Sequence, residues 1–392
     1  MYIIKLSDLK GEKLFFYPIN KPRQRLTNKI EIQNVFFVGK KYDNFIVQDG
    51  IKRFRRTLFY QFFSSKNLSQ LENKIQSIKT KLEQKKQGPS IVFSELFEYP
   101  GYSFKDLAYD FKILDKDITF CLITSETSYI NKPLSLITNL NKDVDYVFQY
   151  GGDLGVFSTI LNFFEDLFNY PYDDERLILI VEDKPSHYTR ILNTLNHEVS
   201  KGRTRNILAR DYEEAKKIIL DCPSRLAAAI LDFCFVKDGN YGEYSWDVLN
   251  TFESRNIKIP VIFTSENKEI ISKIKQDSRI FALNKASYGF LKNMRSILGK
   301  YGGFGPFVFR TPPPNEQDVA TSYSLNNLME VIKAIDDKIL LNHSKDNHFS
   351  NWIWLQGYKK LALKIRDIVS EDPAYIRKSI LHYYHESKKE NK

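Results

Sequence analysis

The stretch LILIVEDKPSHYTRIL, residues 177–192, decides how the rest of the chain is read. An aliphatic run without polar alternation reads as a strand buried on both faces, as in a parallel sheet covered by helices. The run ends on two adjacent carboxylates, Glu182 and Asp183, and after one more residue comes Pro185 and a helical pattern. Two like charges at one strand end repel, so the pair calls for a compensating group.

Working outward, further apolar runs follow: NILA (206–209), AAAILDF (227–233), IPVIFTS (259–265) and IFAL (280–283). Between and after them lie helical patterns such as DYEEAKKIILD, YSWDVLNTFESRN, ENKEIISKIKQD and SYGFLKNMRSILGKY. This alternation predicts one doubly wound α/β unit over 175–300. GGFGPFVFRTPPPN is rich in Gly and Pro and reads as a boundary, and the remainder to 392 is helical in pattern.

In a doubly wound sheet the C-terminal ends of the strands converge on one crevice. Glu182 and Asp183 close the first strand, Asp232 the third and Ser265 the fourth, while Lys285 follows the fifth. Three carboxylates on one edge are costly unless a hard cation sits among them, and oxygen ligands suit Mg²⁺. A hydroxyl and a lysine facing the same cation suit a phosphoryl group, with Asp232 as the attacking nucleophile.

Residues 176–300 resemble the receiver domain of response regulators. The resemblance rests on VED at the first strand end, ILDF, PVIFTSE carrying the hydroxyl, and LNKAS carrying the lysine. It implies an aspartyl phosphate at Asp232, with Ser265 and Lys285 assisting. The implied Mg²⁺ ligands are Glu182, Asp183, Asp232 and the backbone carbonyl of Cys234. It also implies a sensor histidine kinase or phosphotransfer protein as donor. Two departures stand out: Ala282 replaces the usual aromatic residue three before the lysine, and Ala286 the usual proline after it.

The first half repeats the layout. IVFSEL (91–96) answers AAILDF, TFCLITSE (119–126) answers PVIFTSE, and DYVFQYGG (145–152) answers IFALNKAS. Here the acceptor position holds Glu95, and the lysine position holds Gln149 or a neighbour. The first strand ends on Gly39, Lys40 and Lys41. That copy cannot build the same metal cradle and reads as a pseudo-receiver. The expected fold class is therefore α/β, two tandem doubly wound, flavodoxin-like receiver domains with a C-terminal helical extension. The expected units are a 1–32 extension, a degenerate receiver over 33–170, a receiver over 175–300, and a linker with helices over 301–392.

A narrower resemblance rests on KYDNFIVQDG, YVFQYGGD, GGFGPFVFR and NHFSNWIWLQGYKKLA. These segments are similar to the N-terminal regulatory region of bacterial proteins that fuse receiver domains to a phosphoenolpyruvate synthase or pyruvate phosphate dikinase type module. The chain stops at Lys392 without a nucleotide-binding Gly-rich loop, so dikinase activity is not expected and the protein is read as a non-enzyme.

In the C-terminal segment HSKDNHFSNW, Asn347, His348, Ser350 and Asn351 are expected to cap and pin a helix whose aromatic face packs on the second unit. His343 and His348 are read as structural, His187 as a surface helix residue, and Arg310 as one half of an ordinary salt bridge.

The formal net charge of +10 admits an acidic partner, yet the excess is scattered, as in KIQSIKTKLEQKKQG and HESKKENK, which read as solvated faces. Nothing after 305 reads as a helix-turn-helix, so nucleic acid is not expected as a partner. The absence of an 18-residue apolar run argues against membrane insertion, and the protein is expected to be cytoplasmic. Cys121, Cys222 and Cys234 are odd in number and have no metal spacing, so they read as reduced thiols. The functional expectation is phosphorelay signalling through a downstream protein partner, with homodimerisation allowed. A phosphorylation-independent scaffold or regulatory subunit for a separate kinase or dikinase-like enzyme is the alternative, and a nucleic-acid-binding regulator ranks third.

Overall fold

The computed structural model describes residues 32, 34–39, 59–63, 73, 76, 89–99, 102–133, 136–137, 142–200, 204–275 and 279–390. Nearly all of the 1–32 extension, Lys40, Lys41, KYDNFIVQDG and most of KIQSIKTKLEQKKQG lie outside the described residues.

Two five-stranded parallel sheets dominate. The first is built from β1 (Asn34–Val38), β2 (Phe59–Phe63) and β3 (Ser90–Ser94), joined after a short hairpin of β4 (Glu98–Tyr99) and β5 (Tyr102–Ser103) by β6 (Thr119–Thr124) and β7 (Tyr146–Gln149). Its helices are α1 (Phe104–Leu114), α2 (Thr127–Ile130) and α3 (Gly155–Asn169). The second sheet contains β8 (Leu177–Val181), β9 (Arg205–Ala209) and β10 (Leu226–Asp232), then, after a hairpin of β11 (Phe235–Lys237) and β12 (Asn240–Gly242), β13 (Val261–Ser265) and β14 (Ile280–Asn284). It carries α4 (Pro185–Thr194), α5 (Tyr212–Asp221), α6 (Ser245–Ser254), α7 (Lys268–Lys273) and α8 (Phe290–Tyr301). Strand orders are β2-β1-β3-β6-β7 and β9-β8-β10-β13-β14, so each sheet runs second, first, third, fourth, fifth.

The strands are apolar throughout because both faces are covered. In β8, Ile178 and Ile180 point into one hydrophobic cluster while Leu177, Leu179 and Val181 point into another. In β1 the split is the same, Val35 and Phe37 against Phe36 and Val38. The cluster holding Phe37 and Ile178 is continuous between the sheets, through Phe157, Ile160 and Phe164 of α3 and Tyr188, Ile191 and Leu192 of α4. Tyr188 donates its hydroxyl to the carbonyl of Val147, and the Gln149 N–H donates to Thr189 Oγ1 at 3.1 Å. Burying a side chain of this size contributes about 1.5–3 kcal/mol, so the shared layer welds the two sheets.

Local signals set the helix starts. Ser103 and Asp106 form a reciprocal capping box on α1, and Asp211 accepts from the Glu214 N–H to start α5. Pro185 occupies the first turn of α4, which continues past Thr194 as a π-helical stretch over Leu195–Ser200.

The C-terminal part departs from the helical expectation. It opens with an antiparallel pair, β15 (Phe307–Arg310) and β16 (Asp318–Ser322), before α9 (Leu325–Ala334), α10 (Asp337–Lys345), α11 (His348–Leu355), α12 (Lys359–Arg366) and α13 (Pro373–Glu390). FVFR is a strand because its period-2 pattern buries Phe307 and Phe309, which pack with Phe349 and Trp352. Every residue of α11 is buried, and its aromatic residues close mainly this unit's own core. The contact with the second sheet's unit is narrower: Trp354 lies against the Arg176 guanidinium at 4.7 Å, and Leu355 joins the shared cluster. Asn347 caps nothing with its side chain; it turns the chain at φ 57°, a left-handed conformation that Asn tolerates. Among the described residues no helix is long and apolar enough to cross a membrane. All three cysteines are free thiols, Cys121 and Cys222 buried and Cys234 half-buried.

Candidate functional site

The C-terminal ends of β8, β10, β13 and β14 bring Glu182, Asp183, Asp232, Ser265 and Lys285 to one edge of the second sheet, all nearly excluded from solvent. The ladder sets their positions. The Glu182 N–H bonds the Ala209 carbonyl at 3.0 Å, the Phe233 N–H bonds Thr264 at 2.8 Å, and the Lys285 N–H bonds Ser265 at 2.8 Å. Each side chain therefore leaves from the last paired residue or the one after it, where the strand opens into its loop. The early proline holds the loop after β8 to three residues before α4, because a residue preceding Pro is driven to extended backbone; Lys184 sits at φ −91°, ψ 121°.

Lys285 is the hub. Its Nζ lies 2.8 Å from Glu182 Oε2 and 2.7 Å from Asp232 Oδ2. Burial alone would lower this ammonium, but the two carboxylates outweigh it and raise its pKa. Glu182 also accepts from the Lys184 N–H at 3.2 Å. Burial works to raise its carboxyl, yet Lys285 and His187 overcome that and hold it down at about 2. Asp232 goes the other way: burial first, then the charge of Glu182, push it well above the usual carboxylate range despite Lys285. One lysine thus balances one of two carboxylates, and Glu182 keeps the charge.

Asp183 lies outside the lysine's reach. Both its carboxylate oxygens are buried without a hydrogen-bond partner, and burial followed by Glu182 raises its pKa to about 8. Such a group is costly unless something else supplies positive charge. Ser265 Oγ accepts from the Asn267 N–H at 3.1 Å. Cys234 follows Asp232 in the bend before β11; burial and Asp232 push its thiol up to about 11.

His187 belongs to this edge, contrary to its reading as a surface residue. It is 11% exposed, with Nδ1 3.4 Å from Glu182 Oε1 and 3.1 Å from Lys285 Nζ, and Nε2 3.4 Å from Glu266 Oε1. Ligand atoms of Glu182, His187 and Asp232 lie within 4.8 Å of one another. The signal was Pro185: fixing the helix start there places residue 187 in the first turn, facing back to the strand end. Arg310, expected in an ordinary salt bridge, instead stacks over the Tyr301 ring at 3.9 Å, and among the described residues no carboxylate pairs with it.

No family model matches the chain, and no curated protein does. Solved structures that it resembles include a carbohydrate transporter solute-binding protein from Agrobacterium radiobacter in complex with D-arabinose (11% identity, 60% of this chain and 76% of that one, TM-score 0.20). A LacI family transcriptional regulator from Bifidobacterium animalis subsp. lactis (11%, 74% and 97%, 0.21) and a periplasmic binding ribose operon repressor protein from Lactobacillus acidophilus (12%, 68% and 91%, 0.22) resemble it to the same degree. At such TM-scores they lend this chain neither fold nor function. With no family model and no curated protein matching, the assignment to receiver domains and to the regulatory region of dikinase-like proteins is corrected: the chain is placed in no family. The phosphorelay role falls with it. In the edge as described, burial and Glu182 raise Asp232 and Lys285 lies 2.7 Å from its Oδ2, so no free acceptor carboxylate is displayed there. The expectation against a nucleic-acid partner likewise draws nothing from matches in which transcriptional regulators figure. What stands is a mixed α/β protein with two parallel sheets.

Proposed function

We propose that the protein is a divalent-cation-binding protein of the doubly wound, flavodoxin-like α/β class, and that its cation site is the strand-end edge of the second sheet. Glu182, Asp183 and Asp232 supply carboxylate oxygens, the Cys234 carbonyl a fourth, and water the remainder, an oxygen-only set that suits Mg²⁺. The observation that carries the reading is Asp183, a buried carboxylate with both oxygens unpartnered. A bound cation would satisfy those oxygens and draw the protons from Asp183 and Asp232, while Lys285 stays with Glu182. We read the site as binding and not as catalysis, because Lys285 is tied to Glu182 and Asp232.

One observation favours a second reading, a softer ion. The Glu182–His187–Asp232 group offers an imidazole nitrogen, which suits Mn²⁺ or Zn²⁺ better than Mg²⁺, but Lys285 would have to withdraw to admit it. Calorimetric titration of the full chain with Mg²⁺, Mn²⁺ and Zn²⁺, beside Asp183→Asn and His187→Ala, separates the two. Saturable Mg²⁺ binding abolished by Asp183→Asn supports the first reading. Mn²⁺ or Zn²⁺ binding abolished by His187→Ala supports the second. A folded protein that takes up none of the three ions removes both.

A further inference from the structure

A second site lies away from the carboxylate edge, where β15 meets α8 and α11. Lys300, Tyr301, Arg310, His343, His348 and Trp352 line a cleft of about 10 Å³, room for one oxygen atom, below a mouth open to solvent. Arg310 is 3% exposed, and its Nη1 is buried without a hydrogen-bond partner. Its guanidinium carbon lies 3.9 Å from the Tyr301 ring centroid, a cation–π contact that does not neutralise its charge. The nearby acids are engaged elsewhere, Asp318 with Lys300 at 2.7 Å and Glu316 with the Tyr301 hydroxyl at 3.1 Å.

The histidines add a second donor, and the hydrogen bonds determine which. The Arg310 N–H donates to His343 Nε2 at 2.9 Å, so that nitrogen carries no proton. Neutral His343 is therefore protonated on Nδ1, which lies 3.0 Å from His348 Nδ1 and donates to it. His348 then bears its own proton on Nε2, which has no protein acceptor among the described residues. Burial keeps both rings neutral, with the neighbouring Arg310 charge adding to the effect.

We infer that this cleft binds a small oxyanion, held by the Arg310 guanidinium and the His348 Nε2–H. A planar guanidinium beside a fixed N–H donor matches the oxygens of a phosphate or carboxylate, and an incoming negative charge balances a buried cation that no carboxylate pairs with among the described residues. The site is independent of the proposed cation edge.

The test is the thermal midpoint of the full chain against increasing inorganic phosphate, and separately acetate, with sodium chloride holding ionic strength constant. A saturable rise with either anion, absent in Arg310→Gln and reduced in His348→Phe, is the expected result. Should Arg310→Gln fail to fold, the ¹⁵N resonance of His348 Nε2 in the parent protein decides, since it must shift on anion addition if that N–H is a ligand. A midpoint that neither anion moves beyond chloride, a rise retained in folded Arg310→Gln, or an unmoved His348 resonance overturns the proposal.

Discussion

The two parallel sheets end alike and carry different chemistry. Register matches the ends residue for residue: Val38 pairs with Ser94 as Val181 pairs with Leu231, so Gly39 stands where Glu182 does and Glu95 where Asp232 does. Thr124 matches Ser265, and each hydroxyl accepts from the N–H two residues on, at 3.0 and 3.1 Å. The residue after each fifth strand donates back to the fourth in the same way, Tyr150 to Thr124 at 2.9 Å and Lys285 to Ser265 at 2.8 Å. The lysine position of the first sheet, expected at Gln149 or a neighbour, is thus Tyr150. An identical backbone frame therefore holds a buried ion cluster at one edge and a glutamate with a tyrosine at the other, so the frame alone does not dictate the chemistry.

The sharpest way to break the comparison is at its matched fifth-strand positions. Lys285→Met removes the ammonium from between Glu182 and Asp232 at nearly zero exposure, and removing one partner of a buried pair costs about 3–5 kcal/mol. Tyr150→Phe, half-buried at the equivalent place, is expected to cost no more than about 1 kcal/mol. Urea unfolding of both variants measures the difference. Added Mg²⁺ should return part of the loss in Lys285→Met and nothing in Tyr150→Phe. Equal losses in the two variants would mean that the cluster is not what distinguishes the edges.

Much of this was legible because burial on both faces leaves its mark on composition. LILIV, TFCLIT and AAAILD announce their strands, and a carboxylate or hydroxyl at the end of such a run can only sit at the sheet edge. Which edge residues touch was not legible. Glu182, Asp232 and Lys285 converge because neighbouring strands end in register, whereas Asp183, one residue further, turns away from the lysine. His187 depends on helix phase, and Tyr150 on a ladder bond that sequence spacing does not count. FVFR is too short to announce a strand beside TPPPN, and the unpaired charge of Arg310 depends on where Glu316 and Asp318 find other partners.

Acid stability sharpens the comparison by separating the C-terminal unit from both sheets. Burial lowers His348 from 6.5 to about 3, with Arg310 and Arg279 adding repulsion. A folded pKa below the unfolded one means stability that is fully present above pH 6.5 and lost as pH falls towards 3. At about 1.4 kcal/mol per unit the loss reaches several kcal/mol, shared with His343, whose pKa is also lowered. His348→Phe should flatten this limb of the curve in urea titrations between those limits. An unchanged limb would assign acid unfolding to other groups, such as Glu182, whose lowered carboxyl also loses stability as pH falls.

The smallest effect tests why the first edge cannot become the second. A Cβ at Gly39 would stand 2.3 Å from Glu95 Oε2, so the glutamate side chain folds over the place where Glu182 carries its own. Gly39→Ala therefore forces Glu95 aside. Glu95 must swing aside from Cγ outward while the backbone stays, so the cost should be about 1 kcal/mol. If the crowding is the cause, Glu95→Ala on the same background restores most of it, which a double-mutant cycle reads directly as coupling between the two positions. An additive result would mean that Glu95 is not what excludes a side chain at Gly39, and that the first edge lacks an acid there for a reason other than occupied space.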